Sequence, residues 1–419
     1  MIATLRDAWK IPDLRRKIIF TLLMLLIYRV GSYIPVPYID KEQLAALVSD
    51  GGLFGLYNII SGGNFGNFTI FAMGITPYIN ASIIMNLLGF AIPALERLQR
   101  EGEEGRKKMA QYTRYLTILL AIIQALGISL SYGSLMTEKT GFTVFVVVLC
   151  ITAGTTFLMY LGEKITANGI GNGISLIIFI SIISRIPSAI ATYYDYIQVG
   201  TLNIVSLFLI IIAIVVATIA VVAVNEGQRK IPVQYAKRVV GRKMYGGQTT
   251  HIPIRVNMAG VIPIIFASSL TLLPATLAQF FPNSGFSTWV ATYFAWGSPI
   301  TTILYIVLIV AFTYFYTAVT FNPFDVADNI KKQGGYIPGI RPGKATVDYL
   351  TRIMNRLTLF GGFFLALIAI IPIIVGQFMG GISMQFGGTS LLIIVGVALE
   401  VVKQLESEMT MRNYQGFLK

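Results

Sequence analysis

The sequence predicts an all-α polytopic membrane protein, and three observations predict it. Of 419 residues, 55% are hydrophobic and 12% charged, with mean hydropathy +0.72. An ordinary soluble domain carries roughly 25% charge to cover its surface. The apolar residues run unbroken instead of alternating with polar ones as in a transmembrane barrel. Ten of these runs approach the about 20 residues needed to cross about 30 Å of hydrocarbon. The basic residues, finally, collect in alternate loops. This composition excludes a soluble globular enzyme, a disordered chain and a secreted disulfide scaffold.

The spans are expected at residues 18–36, 68–92, 113–132, 142–161, 174–192, 202–224, 258–281, 300–320, 353–375 and 389–405. The first is too long for a signal peptide, and no small-x-small cleavage site follows it. Residues 53–66 are apolar but short and glycine-rich, so they are expected to be re-entrant or half-inserted. The amino-terminal segment carries Arg6, Lys10, Arg15, Arg16 and Lys17 and is placed inside by the bias of Lys and Arg towards cytoplasmic loops. Alternation then leaves only Arg29, Lys41, Lys139 and Arg185 of 32 basic residues outside, with Asp40, Glu42, Asp50, Glu138 and Asp195 of 19 acids. Both termini are cytoplasmic on this reading. The asymmetry accounts for the net charge of +13 without any nucleic acid.

Two inner loops are long, residues 225–257 and 321–352. Each holds turn residues: Gly246, Gly247 and Pro253 in one, Gly334, Gly335, Pro338 and Pro342 in the other. Neither is large enough for a core of its own, so both are expected to protrude as hairpins and to offer the working surface for a soluble partner. Ten spans divide into halves at 1–192 and 193–419. An odd number of spans in each forces the second half to be inverted, an arrangement that builds conduits at the repeat interface.

The chemistry missing from the spans narrows the function. No ionisable residue stands near a span centre, where pumps and ion-coupled transporters keep one. Arg29 lies near the outer end of its span and can snorkel outward; Arg185, Arg356, Glu400 and Lys403 also sit near span ends. The single histidine, His251, falls in a loop, and the single cysteine, Cys150, lies among Val and Leu, so metal, disulfide and protease chemistry have no residues to use. Near 340 the chain has Pro338 and Ala345 where a phosphate loop needs Gly and Ser or Thr. No cofactor and no direct nucleotide binding is expected, and any energy must come from a partner or a gradient. Polar residues do enter three spans: Asn80, Ser82 and Asn86; Gln124; Ser268, Ser269 and Thr271. They read either as interhelical hydrogen bonds or as a seam that can open.

One distinctive stretch runs from Gly74 through Ile75, Thr76, Pro77, Tyr78, Ile79 and Asn80 to Ile84. Others are Glu101–Lys108 with Gln111–Tyr115, Gly169–Ser175, Gln234–Arg238, Phe266–Ser269 and Tyr336–Gly343. These stretches resemble the bacterial SecY family, the central subunit of the protein-conducting channel. The resemblance covers essentially the whole chain. It implies a bacterial plasma-membrane protein of ten helices in two inverted halves around a pore, with a plug helix. It would pass unfolded secretory polypeptides across the membrane and release transmembrane segments sideways into lipid, with no catalytic residue.

The resemblance also implies residue roles. An isoleucine ring at the constriction would be Ile75, Ile79, Ile174, Ile178, Ile265 and Ile393; the first two pairs have i,i+4 spacing and so share a helix face. The plug would include Leu53, Phe54, Leu56, Tyr57, Ile59 and Ile60. A lateral gate between the second and third spans and the seventh and eighth would hold Asn86, Gln124, Ser268, Ser269 and Thr271. Lys237, Arg238, Arg242, Lys243, Arg341 and Lys344 would dock a motor or ribosome. The family's partners are the small membrane subunits SecE and SecG, the ATPase SecA, the ribosome, and the signal peptides and chains it moves. The rival reading is a ten-span secondary transporter, which the missing midplane charge disfavours.

Overall fold

The computed structural model describes residues 2–39, 58, 61–131, 136, 140–200, 204–235, 238–240, 243–245, 249–281, 284–295, 297–378 and 388–416. Fifteen helices make up most of the described residues. In chain order they begin with α1 Ile2–Lys10, α2 Pro12–Gly31, α3 Thr76–Ala91, α4 Pro93–Arg100 and α5 Glu103–Ser131. Next come α6 Gly141–Asn168, α7 Gly173–Ile183, α8 Ile186–Gln198 and α9 Ile204–Glu226. The remainder are α10 Ile262–Ala278, α11 Gly285–Tyr293, α12 Pro299–Thr320, α13 Pro323–Lys332, α14 Lys344–Phe378 and α15 Gly388–Gly416. The strands are β1 Gln228–Tyr235, β2 Arg238–Val240, β3 Lys243–Tyr245, β4 Thr249–Arg255 and β5 Gly335–Tyr336.

Seven helical segments among the described residues are long and apolar enough to cross a membrane, or eight when α3 and α4, bent by 105°, count as one. Every expected span has a helix, with three corrections. The first span stops at Gly31, since Ile34 and Val36 pair instead with the stretch at 68–70: Val36 N donates to the Phe68 carbonyl and Ile70 N to the Ile34 carbonyl. The second begins at Thr76 and not at 68, because Pro77 sits in the first turn, where its missing N–H costs nothing, and Gly74 takes a left-handed φ of +55°. The seventh is only 17 residues, with Pro263 opening it and Pro274 inside.

Residues 61–75 are therefore turns, although hydropathy reads a span from 68 onward. Such backbone is tolerated only if protein, not lipid, surrounds it, and here it does: Phe65, Phe68, Phe71, Ala72 and Met73 are all buried. Gly154 of α6 permits the approach, since a Cβ there would stand 1.9 Å from the Ile70 carbonyl oxygen.

The long loops depart from expectation more. They do not protrude as two separate hairpins. Only the first is a hairpin, β1 against β4 with Ile231 opposite Ile252, and β5 from the second loop pairs with the free edge of β1 through Gln234–Tyr336 and Tyr235–Gly335. The two loops share one core of Ile231, Val233, Ile254, Ala327, Ile330, Ile337, Val347 and Leu350. Each alone is too short to bury an apolar face; stacked together with the start of α14 they manage it. His251 lies exposed on β4.

Candidate functional site

The largest buried cluster draws on α2, α3, α6, α7, α9, α10, α12, α14 and α15. Five of the six isoleucines singled out above are buried in it: Ile75 at the amino-terminal cap of α3, Ile79 on α3, Ile178 on α7, Ile265 on α10 and Ile393 on α15. Ile174, at the start of α7, is partly buried and packs against it. α7 starts where it does because Asn172 caps it, its Oδ1 accepting from the N–H of Ile174 and of Ser175. Two residues that sequence reasoning missed continue the same faces, Ile83 and Ile182, each four residues beyond a named isoleucine and buried in the same cluster. Their signal was the same i,i+4 period.

A seam flanks this cluster, where α10 packs against both α3 and α5. Gly127 of α5 lets the Phe280 ring approach, and Phe90 of α3 meets Phe315 of α12 edge to face at 5.3 Å. The aromatic pair was not foreseen. Of the predicted polar residues, Gln124, Ser269 and Thr271 are buried while Asn86 and Ser268 are half-buried. Thr271 Oγ1 and Ser268 Oγ donate to carbonyls of their own helix, of Ala267 and Ile265. Among the described residues neither bonds across to a neighbouring helix. The Gln124 Oε1 and, on α3, the Asn80 Oδ1 are buried with no hydrogen-bond partner among the described residues. Such a group costs about 1–3 kcal/mol, so this side of the seam is held by packing with little polar closure.

On the platform built from the two loops, the turn at 337–343 is anchored from beneath. Ile337 is buried in the shared core, and the buried Thr346 hydroxyl donates to the Arg341 carbonyl at 3.0 Å. The Arg341 side chain is exposed and makes no ion pair among the described residues, and Lys344 beside it is exposed too. On α13 the Lys332 ammonium bonds Asp328 at 2.7 Å, and that carboxylate holds it above its ordinary pKa. Arg238 lies on β2 and Lys243 on β3. Lys237 and Arg242 lie outside the described residues, as do Leu53, Phe54, Leu56, Tyr57, Ile59 and Ile60. The Arg29 guanidinium lies 5.1 Å over the Tyr33 ring.

The family model of SecY matches residues 69–402. The chain is 49% identical, over the full length of both, to the protein translocase subunit SecY of Bacillus subtilis. Among solved structures it resembles one described as a protein-conducting channel, with TM-score 0.68 and 24% identity over 94% of this chain and 92% of that one. It also resembles the channel of a canine ribosome–channel complex from the endoplasmic reticulum, with TM-score 0.65 and 22% identity over the same shares. At those identities the structures speak for the fold, while the family model and the full-length relative decide membership: the chain belongs to the SecY family.

Proposed function

We propose that the chain is the pore-forming subunit of a protein-conducting channel, passing unfolded polypeptides across a bacterial plasma membrane and releasing apolar segments sideways. The observation that carries this reading is the gathering of isoleucines from α3, α7, α10 and α15, from both ends of the chain, into one buried cluster beside a weakly closed seam. Branched apolar side chains neither attract a passing chain nor replace the hydration of an ion, so a narrow collar of them excludes ions by dewetting. The work is transport and not catalysis. The halves 1–192 and 193–419 would part along the α3/α5–α10/α12 seam. SecE-like and SecG-like small subunits would complete the complex, and SecA or a ribosome would dock on the basic platform around Arg341.

Both termini would be cytoplasmic. A cysteine replacing Gly133 in a Cys150→Ala background should react with an impermeant thiol reagent in intact cells. One replacing the exposed Lys331 should not. The reverse pattern would overturn the orientation.

Proteoliposomes holding the chain, its small subunits and the motor should import an unfolded preprotein when ATP is added. Deleting residues 53–64 removes the proposed stopper but no helix that spans, so import should persist. Resting ion conductance across planar bilayers should rise about tenfold or more, since a dewetted or plugged path becomes open. Failure of the parent to import would refute the channel reading. A deletion variant as tight as the parent would refute the stopper.

A further inference from the structure

Tyr28 is a phenol on a helix of Leu, Ile and Met, and it is only 2% exposed. A buried hydroxyl needs partners. Its oxygen lies 2.6 Å from Ser181 Oγ on α7 and accepts from Asn64 Nδ2 at 3.0 Å. Ser181 Oγ donates to the Ile177 carbonyl at 2.6 Å. Since the serine hydrogen is engaged there and Asn64 donates into the phenol, the phenolic hydrogen points to Ser181. The bonds run in one direction, from Asn64 to Tyr28 to Ser181 to Ile177, and each donor in the series has its acceptor.

Close packing surrounds this series. Asn64 and Ser181 are as buried as Tyr28. Gly62, at φ +71°, brings its backbone so near α7 that a Cβ would stand 2.7 Å from Ser181 Cβ. The Tyr28 ring stacks on Phe71, with centroids 5.7 Å apart. The turn segment 61–75 is thereby tied to two helices at the point where the proposed stopper ends, and Ser181 lies between Ile178 and Ile182 on α7.

We propose that Tyr28, Asn64 and Ser181 are positioning residues that latch the segment 61–75 to α2 and α7 and so set how strictly the channel rejects chains with a defective signal. The proposal rests on the reading of residues 53–64 as a stopper. The latch suits that task because its bonds favour the closed state only while the site is dry. Water entering the opened funnel satisfies each group in turn, so the open state leaves no orphaned donor. Separating the segment from α7 therefore has a fixed, modest cost that a proper signal can meet and a defective one cannot.

Tyr28→Phe retains the ring and its stacking and deletes only the hydroxyl, leaving Asn64 without its acceptor while Ser181 still bonds Ile177. In the complete complex in nanodiscs, amide hydrogen exchange across 61–75 should quicken about five- to tenfold, as expected for loss of the one buried hydrogen bond, from Asn64, that joins the segment to α2, the Tyr28–Ser181 bond between α2 and α7 being lost with it. Resting conductance and transport of a signal-defective preprotein should rise by a similar factor, with transport of the normal preprotein unchanged. Ser181→Ala breaks the shared Tyr28–Ser181 bond but leaves Asn64 bonded to Tyr28, so it should quicken exchange less than Tyr28→Phe does, and the double variant should be no worse than Tyr28→Phe alone. Thr117→Ala removes a buried hydroxyl bonded within α5 and should move none of these readouts. Parental exchange at 61–75 in both single variants would overturn the latch whatever the conductance. Faster exchange with parental conductance and discrimination would overturn the segment's part in sealing, and the stopper reading with it, while leaving the channel reading intact.

Discussion

Arg341→Glu should lower motor-driven translocation about a hundredfold while the channel still assembles with its membrane partners. The magnitude follows from reversing a charge that docks on a complementary surface. Losing one partner of a close charge pair costs about 2–5 kcal/mol, and each 1.4 kcal/mol is about tenfold. The fold should survive because the turn carrying Arg341 is anchored by other atoms: the buried Ile337 side chain and the bond from Thr346 to the main-chain carbonyl of Arg341. The side chain itself is exposed and makes no ion pair among the described residues. Arg341→Lys should fall between parent and reversal, since it keeps the charge and loses the planar fork. Import into proteoliposomes, with motor binding measured alongside, checks both. Normal import by the Arg341→Glu channel would remove Arg341 from the docking surface.

Replacing Ile79 and Ile265 together by Asn should raise resting ion conductance about ten- to a hundredfold. Both side chains are buried in the central cluster, on α3 and α10. In the closed state each amide would sit within that apolar cluster and leave polar atoms unpaired, at about 1–3 kcal/mol apiece. In the open state water satisfies them. The equilibrium must shift towards opening by the difference between the two states, and a collar carrying amides no longer dewets. Transport of a signal-defective preprotein should rise with the leak. Single-channel recording on planar bilayers reads the first effect directly. A double variant as tight as the parent would mean that these two residues line no constriction.

Much of this architecture was legible from hydropathy and charge, because lipid imposes a simple rule: a helix that crosses it must be apolar over its length. The rule fails where an apolar stretch is surrounded by protein. Residues 68–75 are apolar enough to read as the start of a span, yet Phe68 and Phe71 are buried, and the backbone there bonds to Ile34, Val36 and its own turns. A window average registers burial but not what does the burying. The shared sheet was equally hidden. β5 has two residues and pairs with Gln234 and Tyr235, about a hundred positions earlier, and so short a strand has no period to detect. The latch escaped for the same reason: Tyr28, Asn64 and Ser181 are each unremarkable in sequence, and only the fold brings their three polar groups together. The isoleucine set came from the family resemblance. Composition could not single out six among so many, although the i,i+4 spacing agreed with it and would have extended it to Ile83 and Ile182.

The central claim is that a polypeptide passes through the isoleucine cluster itself. It is tested most directly by stalling a translocating preprotein that bears one cysteine at mid-length, in channels with a single cysteine at Ile79, Ile178, Ile265 or Ile393, or at Leu149, which is 56% exposed on the outside of α6. Each channel carries Cys150→Ala. Disulfides should form at the four cluster positions and not at Leu149, and should disappear when the stalled chain is released. Cross-linking as strong at Leu149 as at the cluster, or at none of the four, would contradict a path through these residues.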